Sequence, residues 1–155
     1  MVDFVTGANV FAIDVLSRVV HVGTAMALVG GSLFMAVILL PSLGVLTEQS
    51  RQDLVGSVRD RWRRFVHGGI GLFVVSGFYN YFRAMPSHKG DGLYHALVGI
   101  KVLLAMVVFF LATVMVGRSS NFNSLRVNPG KTLRLMLFLS LVIIFISGFV
   151  KVRGN

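Results

Sequence analysis

Four long apolar stretches alternate with polar or basic segments along the chain. They cover about 12–41, 63–83, 93–117 and 132–150. A transmembrane helix needs about 20 predominantly apolar residues, and each stretch reaches or nearly reaches that length. The fourth carries a single charge, Arg134, near its start. The pattern predicts an all-α protein, an integral membrane four-helix bundle.

Composition supports the same class. The chain has 155 residues, of which 55% are hydrophobic and only 14% are charged. A soluble domain of this length cannot bury so much apolar surface. The connections between the stretches are short, so residues 1–155 are expected to form one membrane domain. Cysteine is absent, which excludes disulfides, thiolate metal sites and iron–sulfur clusters.

The net charge of +9 is distributed unevenly. The segment between the first two stretches and the segment between the last two are rich in basic residues: Arg51, Arg59, Arg61, Arg63, Arg64, Arg118, Arg126, Lys131 and Arg134. The opposite side has Arg18, Arg83, Lys89, Lys151 and Arg153. The positive-inside rule then predicts cytoplasmic basic loops and both termini outside, in the cell inner membrane. We expect the arginines to contact the lipid bilayer at anionic headgroups, with no nucleic-acid partner.

An internal repeat relates the two halves of the sequence. His21 lies near the start of the first stretch, and His95 near the start of the third. The second and fourth stretches end in the same tripeptide, Ser76-Gly77-Phe78 and Ser147-Gly148-Phe149. The spacing from histidine to tripeptide is nearly equal in both halves. The sequence therefore predicts two repeated helix pairs.

The two histidines are the main candidates for a functional site. In the predicted topology the first and third helices run in the same direction, so His21 and His95 lie at similar depth. Ionisable groups inside a membrane are functional by default, and imidazoles from two facing helices commonly hold haem in a bundle. Small residues one turn further on, Thr24, Ala25 and Gly99, leave space for a porphyrin. We expect both histidines to ligate one haem b; the alternative is that each bonds a helix end.

Three further charged residues are candidates for cofactor binding. Lys101 lies about nine residues into the third helix, without a carboxylate at its depth. Such a lysine serves a porphyrin carboxylate, a proton path or a substrate anion, or it bonds hydroxyls and carbonyls of the bundle. Arg18 and Arg83 lie near the outer surface, where haem propionates are expected to meet basic side chains.

Two other features leave alternatives open. His67 lies at the other end of the second helix, beside Arg63 and Arg64. It is either an interfacial histidine or a ligand of a second metal site. Gly23, Ala27 and Gly31 form a stripe of small residues, which serves packing within the bundle or a homodimer.

Several short motifs resemble known membrane families. The third helix reads Tyr94-His95-Ala96-Leu97-Val98-Gly99-Ile100-Lys101, and Tyr94 and Lys101 have the spacing found in the copper resistance protein D family. The stretch from Arg64-Phe65 to Ser76-Gly77 is similar to the same family. The first helix, from Gly30 through Leu40-Pro41, also resembles the oxygen-independent membrane protoporphyrinogen oxidases. That resemblance implies a four-helix haem b protein in which His21 is a ligand and Lys101 corresponds to a lysine of the third helix.

The expected function is electron transfer through a haem b with two histidine ligands, with a quinol or a redox protein as partner. Two imidazoles saturate the iron, which favours electron transfer over oxygen chemistry. Three alternatives remain. The first is a membrane oxidoreductase acting on a porphyrinogen, with Lys101 or Arg83 holding substrate carboxylates. The second is copper transport, which the first family resemblance implies, and the third is a structural subunit of a membrane complex.

Overall fold

The computed structural model describes residues 2–117 and 120–154, and these residues are almost entirely helical, with no strand among them. The predicted all-α class is confirmed. In chain order the elements are α1 Val2–Phe34, a π-helical segment Met35–Leu39, α2 Leu40–Ser42, a 3₁₀ turn Leu43–Val45, α3 Glu48–Ala84, a 3₁₀ turn Met85–His88, α4 Gly92–Val116, a 3₁₀ turn Ser120–Phe122, α5 Asn123–Val127 and α6 Pro129–Arg153. Arg118 of the second basic segment lies outside the described residues.

The long helices start where the sequence supplies caps. The Thr47 hydroxyl accepts a hydrogen bond from the Ser50 amide at the start of α3. Asp91 does the same for the Tyr94 amide at the start of α4. These side chains satisfy amides that have no partner within the helix. Pro129 begins α6, a position where its missing amide costs nothing.

The end of the first apolar stretch departs from regular α-helix. Residues Met35–Leu39 form a π-helical turn directly before Pro41. Proline lacks an amide, and its ring clashes with the carbonyl four residues earlier. The wider π turn accommodates this clash without ending the helix.

The second stretch belongs to a longer helix than its apolar pattern predicts. The pattern places a span at 63–83, after a basic segment that connects it to the first stretch. In the structure α3 runs without a break from Glu48 to Ala84. No proline interrupts the arginine-rich segment before this span, and arginine is itself a good helix former.

In the described part of the chain, three helices are long and apolar enough to cross a membrane: Asn9–Val45, Gly92–Val116 and Pro129–Arg153. Their outer faces expose large apolar side chains, among them Phe11 and Phe145, as contact with lipid requires. The chain is thus a membrane protein by the character of its helices. α3 is not in this group, because its first half is charged and its apolar half contains His67, Asn80 and several glycines.

The four long helices contact one another in a ring. α1 packs against α3, α3 against α4, α4 against α6, and α6 against α1. α1 and α4 therefore occupy diagonal places. Ion pairs from α1 to the end of α3 and from the start of α4 to the end of α6 mark one end of the molecule. We call this the ion-pair end, and the opposite end, where α3 and α6 begin, the arginine-rich end.

Glycine allows α1 and α3 to approach closely. The indole ring of Trp62 lies directly over Gly31, and the Leu28 side chain lies over Gly69. The stripe of small residues on α1 therefore does not pack as one surface. Gly31 packs inside the molecule, whereas Gly23 has nothing near its Cβ direction and Ala27 is exposed. Between α4 and α6 the buried core is instead built from Leu111, Leu133 and Met136.

Gly31→Ala should destabilise the protein, because the new Cβ would overlap the Trp62 ring. Overpacking of this kind costs about 1–3 kcal/mol, which thermal unfolding in detergent would detect as a lower Tm. Gly30→Ala is the matched control, since its Cβ would meet nothing within 4 Å. Equal Tm values for both variants would contradict the packing described for Trp62.

Candidate functional site

His21 reaches from α1 across to the backbone of α3. Its Nδ1 lies 3.1 Å from the Phe73 carbonyl oxygen and 3.1 Å from the Ser76 hydroxyl oxygen. The ring also stacks on Phe73, with centroids 3.9 Å apart. The imidazole is half-buried, and its orientation is set by three contacts with a single turn of α3.

These partners determine which ring nitrogen carries the proton. The Phe73 carbonyl only accepts hydrogen bonds. The Ser76 hydroxyl donates at 2.6 Å to the Leu72 carbonyl, so its oxygen is left as an acceptor toward His21. Nδ1 of His21 is therefore the donor, and Nε2 keeps its lone pair. This is the arrangement by which a second hydrogen bond orients a metal-binding imidazole.

Gly77 makes room for the His21 ring. A Cβ at this position would lie 3.0 Å from Cε1 of His21, closer than ordinary van der Waals contact. Beyond the ring, Phe73 meets Phe109 of α4 edge-on, with centroids 5.4 Å apart. A row of aromatic rings thus leads from α1 through α3 to α4.

His95 is held differently. Its Nδ1 lies 3.3 Å from the Tyr81 hydroxyl of α3, and its ring is half-buried. Tyr81 follows Ser76 by five residues and Phe73 by eight, so His95 bonds α3 roughly 8–12 Å nearer the ion-pair end than His21 does. Each of the two diagonal helices carries one of these histidines, and α3 supplies a hydrogen-bond partner to both.

The repeated tripeptide does not repeat its contacts. Ser76 and Gly77 lie against His21. In the second half, the Ser147 hydroxyl donates to the Ile143 carbonyl of its own helix, and Gly148 has nothing near its Cβ direction. The sequence similarity of the two halves therefore does not extend to the surroundings of the two histidines.

Lys101 is half-buried on α4 and lies close enough to His21 for their charges to interact. Among the described residues its ammonium group has no hydrogen-bond partner. A cation in this setting favours an anionic or strongly polar ligand.

Arg83 is engaged by a carboxylate within the protein. Its Nε and Nη2 donate to the two oxygens of Asp14 at 2.9 and 2.7 Å. The Tyr79 hydroxyl donates to the same carboxylate at 2.8 Å. This fork-shaped pair joins α1 to α3. Arg18 is exposed on α1 near Asp14, and of the two arginines singled out by sequence it is the one without such a pair.

A second carboxylate joins the other helix pair. Asp91 accepts from Arg153 of α6 at 3.2 Å while it caps α4. The pKa of Asp91 is lowered, mainly by the hydrogen bond from the Tyr94 amide and further by Arg153. His88 stacks on Tyr94 next to this pair, with ring centroids 3.8 Å apart.

His67 is exposed, and its Nδ1 bonds the Arg63 carbonyl of its own helix at 2.7 Å. Within residues 2–117 and 120–154, no group of three or more His, Cys, Asp or Glu side chains comes together as a metal ion would require. Of the site residues predicted from sequence, His21 and His95 each contact α3 at different levels, and Lys101 lies within electrostatic range of His21. No protein-family model, curated protein or solved structure matches the chain.

Sequence reasoning did not identify the partners of these residues. Phe73, Ser76 and Tyr81 contact the histidines. The repeated tripeptide singled out Ser76, but nothing in the sequence pointed to His21 as its partner, and Phe73 and Tyr81 carried no signal. The Asp14–Arg83 pair could have been predicted from the sequence. Both residues are expected at the same end of neighbouring helices, and the chain has few carboxylates.

Asp91→Asn should lower the Tm at neutral pH and make the Tm less dependent on pH in the acid range. Because the folded-state pKa of Asp91 is lowered, its ionised form stabilises the protein above the usual carboxyl range. That contribution is lost as the pH falls through the lowered pKa. Tm measured against pH should show wild type and variant converging in acid, whereas Asp53→Asn, at an exposed position, should follow wild type. A constant gap between Asp91→Asn and wild type down to the acid limit would contradict this assignment.

Proposed function

We propose that this protein is a haem b-binding integral membrane protein that transfers electrons, with His21 and His95 as the two axial ligands. The observation that carries the proposal is the His21 environment. Nδ1 donates to α3, and the ring is oriented by Phe73, Ser76 and Gly77. An imidazole arranged in this way has Nε2 free for iron.

His95 supports the second ligation. It lies on α4, diagonal to α1, and the Tyr81 hydroxyl gives its Nδ1 a partner. Two imidazoles are a ligand set that suits a haem iron held inside a helix bundle.

Positive charge near the ligands suits the carboxylates of the cofactor. Lys101 lies within electrostatic range of His21 and has no hydrogen-bond partner in the described part of the chain. Arg18 is exposed one turn before His21. We assign these two to haem carboxylates, and we assign Arg83 to Asp14, which already holds it by two hydrogen bonds.

The proposal includes a topology. α3 crosses the membrane with its apolar second half, which gives four spans, two repeated helix pairs and both termini outside the inner membrane. The basic segments then lie in the cytoplasm, as the positive-inside rule requires. Haem b, when bound, exchanges one electron between its ferric and ferrous states. Because His21 and His95 would both hold the iron, a quinol or a redox protein is the fitting partner.

A second candidate, a porphyrinogen-oxidising enzyme, is favoured by Lys101. A half-buried ammonium beside a ligand histidine is suited to a substrate with several carboxylates. Replacement of Lys101 by Met would separate the two functions. Weaker haem retention would support a carboxylate of the cofactor as its partner, whereas loss of porphyrinogen turnover with low-spin haem fully retained would support the enzyme.

The decisive experiment is the reduced-minus-oxidised absorption spectrum of the purified protein, with a pyridine haemochrome assay. Wild type should show the sharp α-band of low-spin b haem. His21→Ala and His95→Ala should lose haem or the low-spin spectrum, because either change removes an axial ligand. His67→Ala should keep both, since that ring is exposed and bonds its own helix. A colourless wild type after haem supplementation would refute the proposal.

The Ser-Gly-Phe tripeptides provide a matched test of ligand geometry. Gly77→Ala should weaken haem retention about tenfold, the usual effect of disturbing a group that orients a ligand, because its Cβ would press on the His21 ring. Gly148→Ala changes the same tripeptide where the Cβ meets open space. It should therefore retain haem like wild type. Haem titration of the apoproteins would measure both, and equal losses in the two variants would contradict the role given to Gly77.

A further inference from the structure

His95 makes one side-chain hydrogen bond in the described part of the chain. Its Nδ1 lies 3.3 Å from the hydroxyl oxygen of Tyr81 on α3, and the two ring planes are nearly perpendicular, at 84°. This distance is at the long end of the range for such bonds. His21, in contrast, has two partners on α3, each 3.1 Å from its Nδ1. The state of the His95 ring therefore depends on a single hydroxyl group.

Tyr94 keeps the His95 ring within reach of that hydroxyl. It meets the ring edge-on, with centroids 5.3 Å apart. Tyr94 is itself fixed, because it is buried, stacks on His88 with centroids 3.8 Å apart and has its amide bonded by Asp91. The packing of Tyr94 thus restricts the His95 ring, and the Tyr81 hydroxyl is left to determine the protonation of Nδ1.

The two histidines differ in the tautomers that their partners allow. The Phe73 carbonyl only accepts hydrogen bonds, so it fixes the proton of His21 on Nδ1, whereas a phenol hydroxyl both donates and accepts. When Tyr81 donates to Nδ1 of His95, the ring proton is on Nε2, which then cannot bind iron. When Tyr81 accepts from Nδ1, the Nε2 lone pair is free. Rotation of the O–H bond allows the hydroxyl to serve either tautomer.

We propose that Tyr81 is the positioning residue of His95, and that its hydroxyl oxygen sets the potential of the bound haem by accepting the Nδ1 proton. This inference rests on the proposed function. An acceptor at Nδ1 makes a ligand imidazole more basic. A more basic imidazole stabilises ferric iron more than ferrous iron, because the ferric ion has the larger charge. Tyr81 therefore lowers the potential through His95.

The contact itself is tested without haem. Histidine is labelled with nitrogen-15 in the full-length apoprotein in detergent, and the Nδ1 and Nε2 resonances report which nitrogen carries the proton. Tyr81→Phe keeps the aromatic ring and removes only the hydroxyl, so it should shift the His95 resonances and leave those of His21 in place. Tyr79→Phe is the matched control, because it removes a hydroxyl of the same helix that donates to Asp14. It should leave both histidines as in wild type.

The effect on the potential is tested on the haem-loaded protein by redox titration of its absorption spectrum. Loss of a group that orients a metal ligand weakens metal binding by about tenfold or more. A tenfold loss confined to the ferric state corresponds to about 59 mV for a one-electron couple. Tyr81→Phe should therefore have a potential about 59 mV more positive than wild type, and Tyr79→Phe should have the wild-type potential.

An unchanged potential in Tyr81→Phe, or equal shifts in both variants, would overturn the role of Tyr81. So would His95 resonances that do not respond to Tyr81→Phe, whether or not haem is bound. Failure of the proposed function has a different signature. Neither wild type nor the variants would then bind haem, and the role in setting the potential would fall with it, while the NMR difference between the two variants would remain.

Discussion

Polar groups between helices that are shielded from water have to be satisfied by the helices themselves, and this constraint organises the contact between α1 and α3. His21 meets it by donating from Nδ1 to the Phe73 carbonyl and the Ser76 hydroxyl. The bond is possible only because Gly77 leaves space for the ring, just as Gly31 and Gly69 leave space for Trp62 and Leu28. Both the hydrogen bond of His21 and the close packing of α1 on α3 thus depend on glycine, at different levels of the same helix pair. The proposed role of His21 in haem binding depends on that orientation.

The two ends of the molecule use charge in different ways. At the ion-pair end, Asp14 and Asp91 each take an arginine from the end of the helix packed against their own. One ion pair joins the two helices of each pair at this end, and Arg83 is bound by Asp14. At the arginine-rich end, basic side chains outnumber acidic ones, and within the described part of the chain Arg59 and Arg126 each have a buried Nε without a hydrogen-bond partner.

The two halves of the chain share sequence motifs and helix directions, but their histidines make different contacts. α1 and α4 run the same way, and α3 and α6 run opposite to them. His21 bonds the backbone and a serine of its packed helix, while His95 bonds a tyrosine of α3, outside its own pair. Ser147 instead bonds the Ile143 carbonyl of its own helix, so the second tripeptide does not contact a histidine among the described residues. Two ligands held by different partners would give a haem unequal sides, which is a means of tuning its potential.

The sequence by itself determined the helical class, three of the four apolar spans that it predicted and the segregation of charge, because each depends only on the order of apolar, basic and helix-breaking residues. It also singled out His21, His95 and Lys101, since ionisable residues stand out in apolar stretches. The continuity of α3 was not predicted, because a charged segment and an apolar one share a helix when nothing breaks it. Only the tertiary structure decided that Phe73, Ser76 and Tyr81 are the partners of the histidines and that Arg83 belongs to Asp14. Such pairings follow from which helix faces meet and at what level, and residue spacing along a single helix does not contain that information.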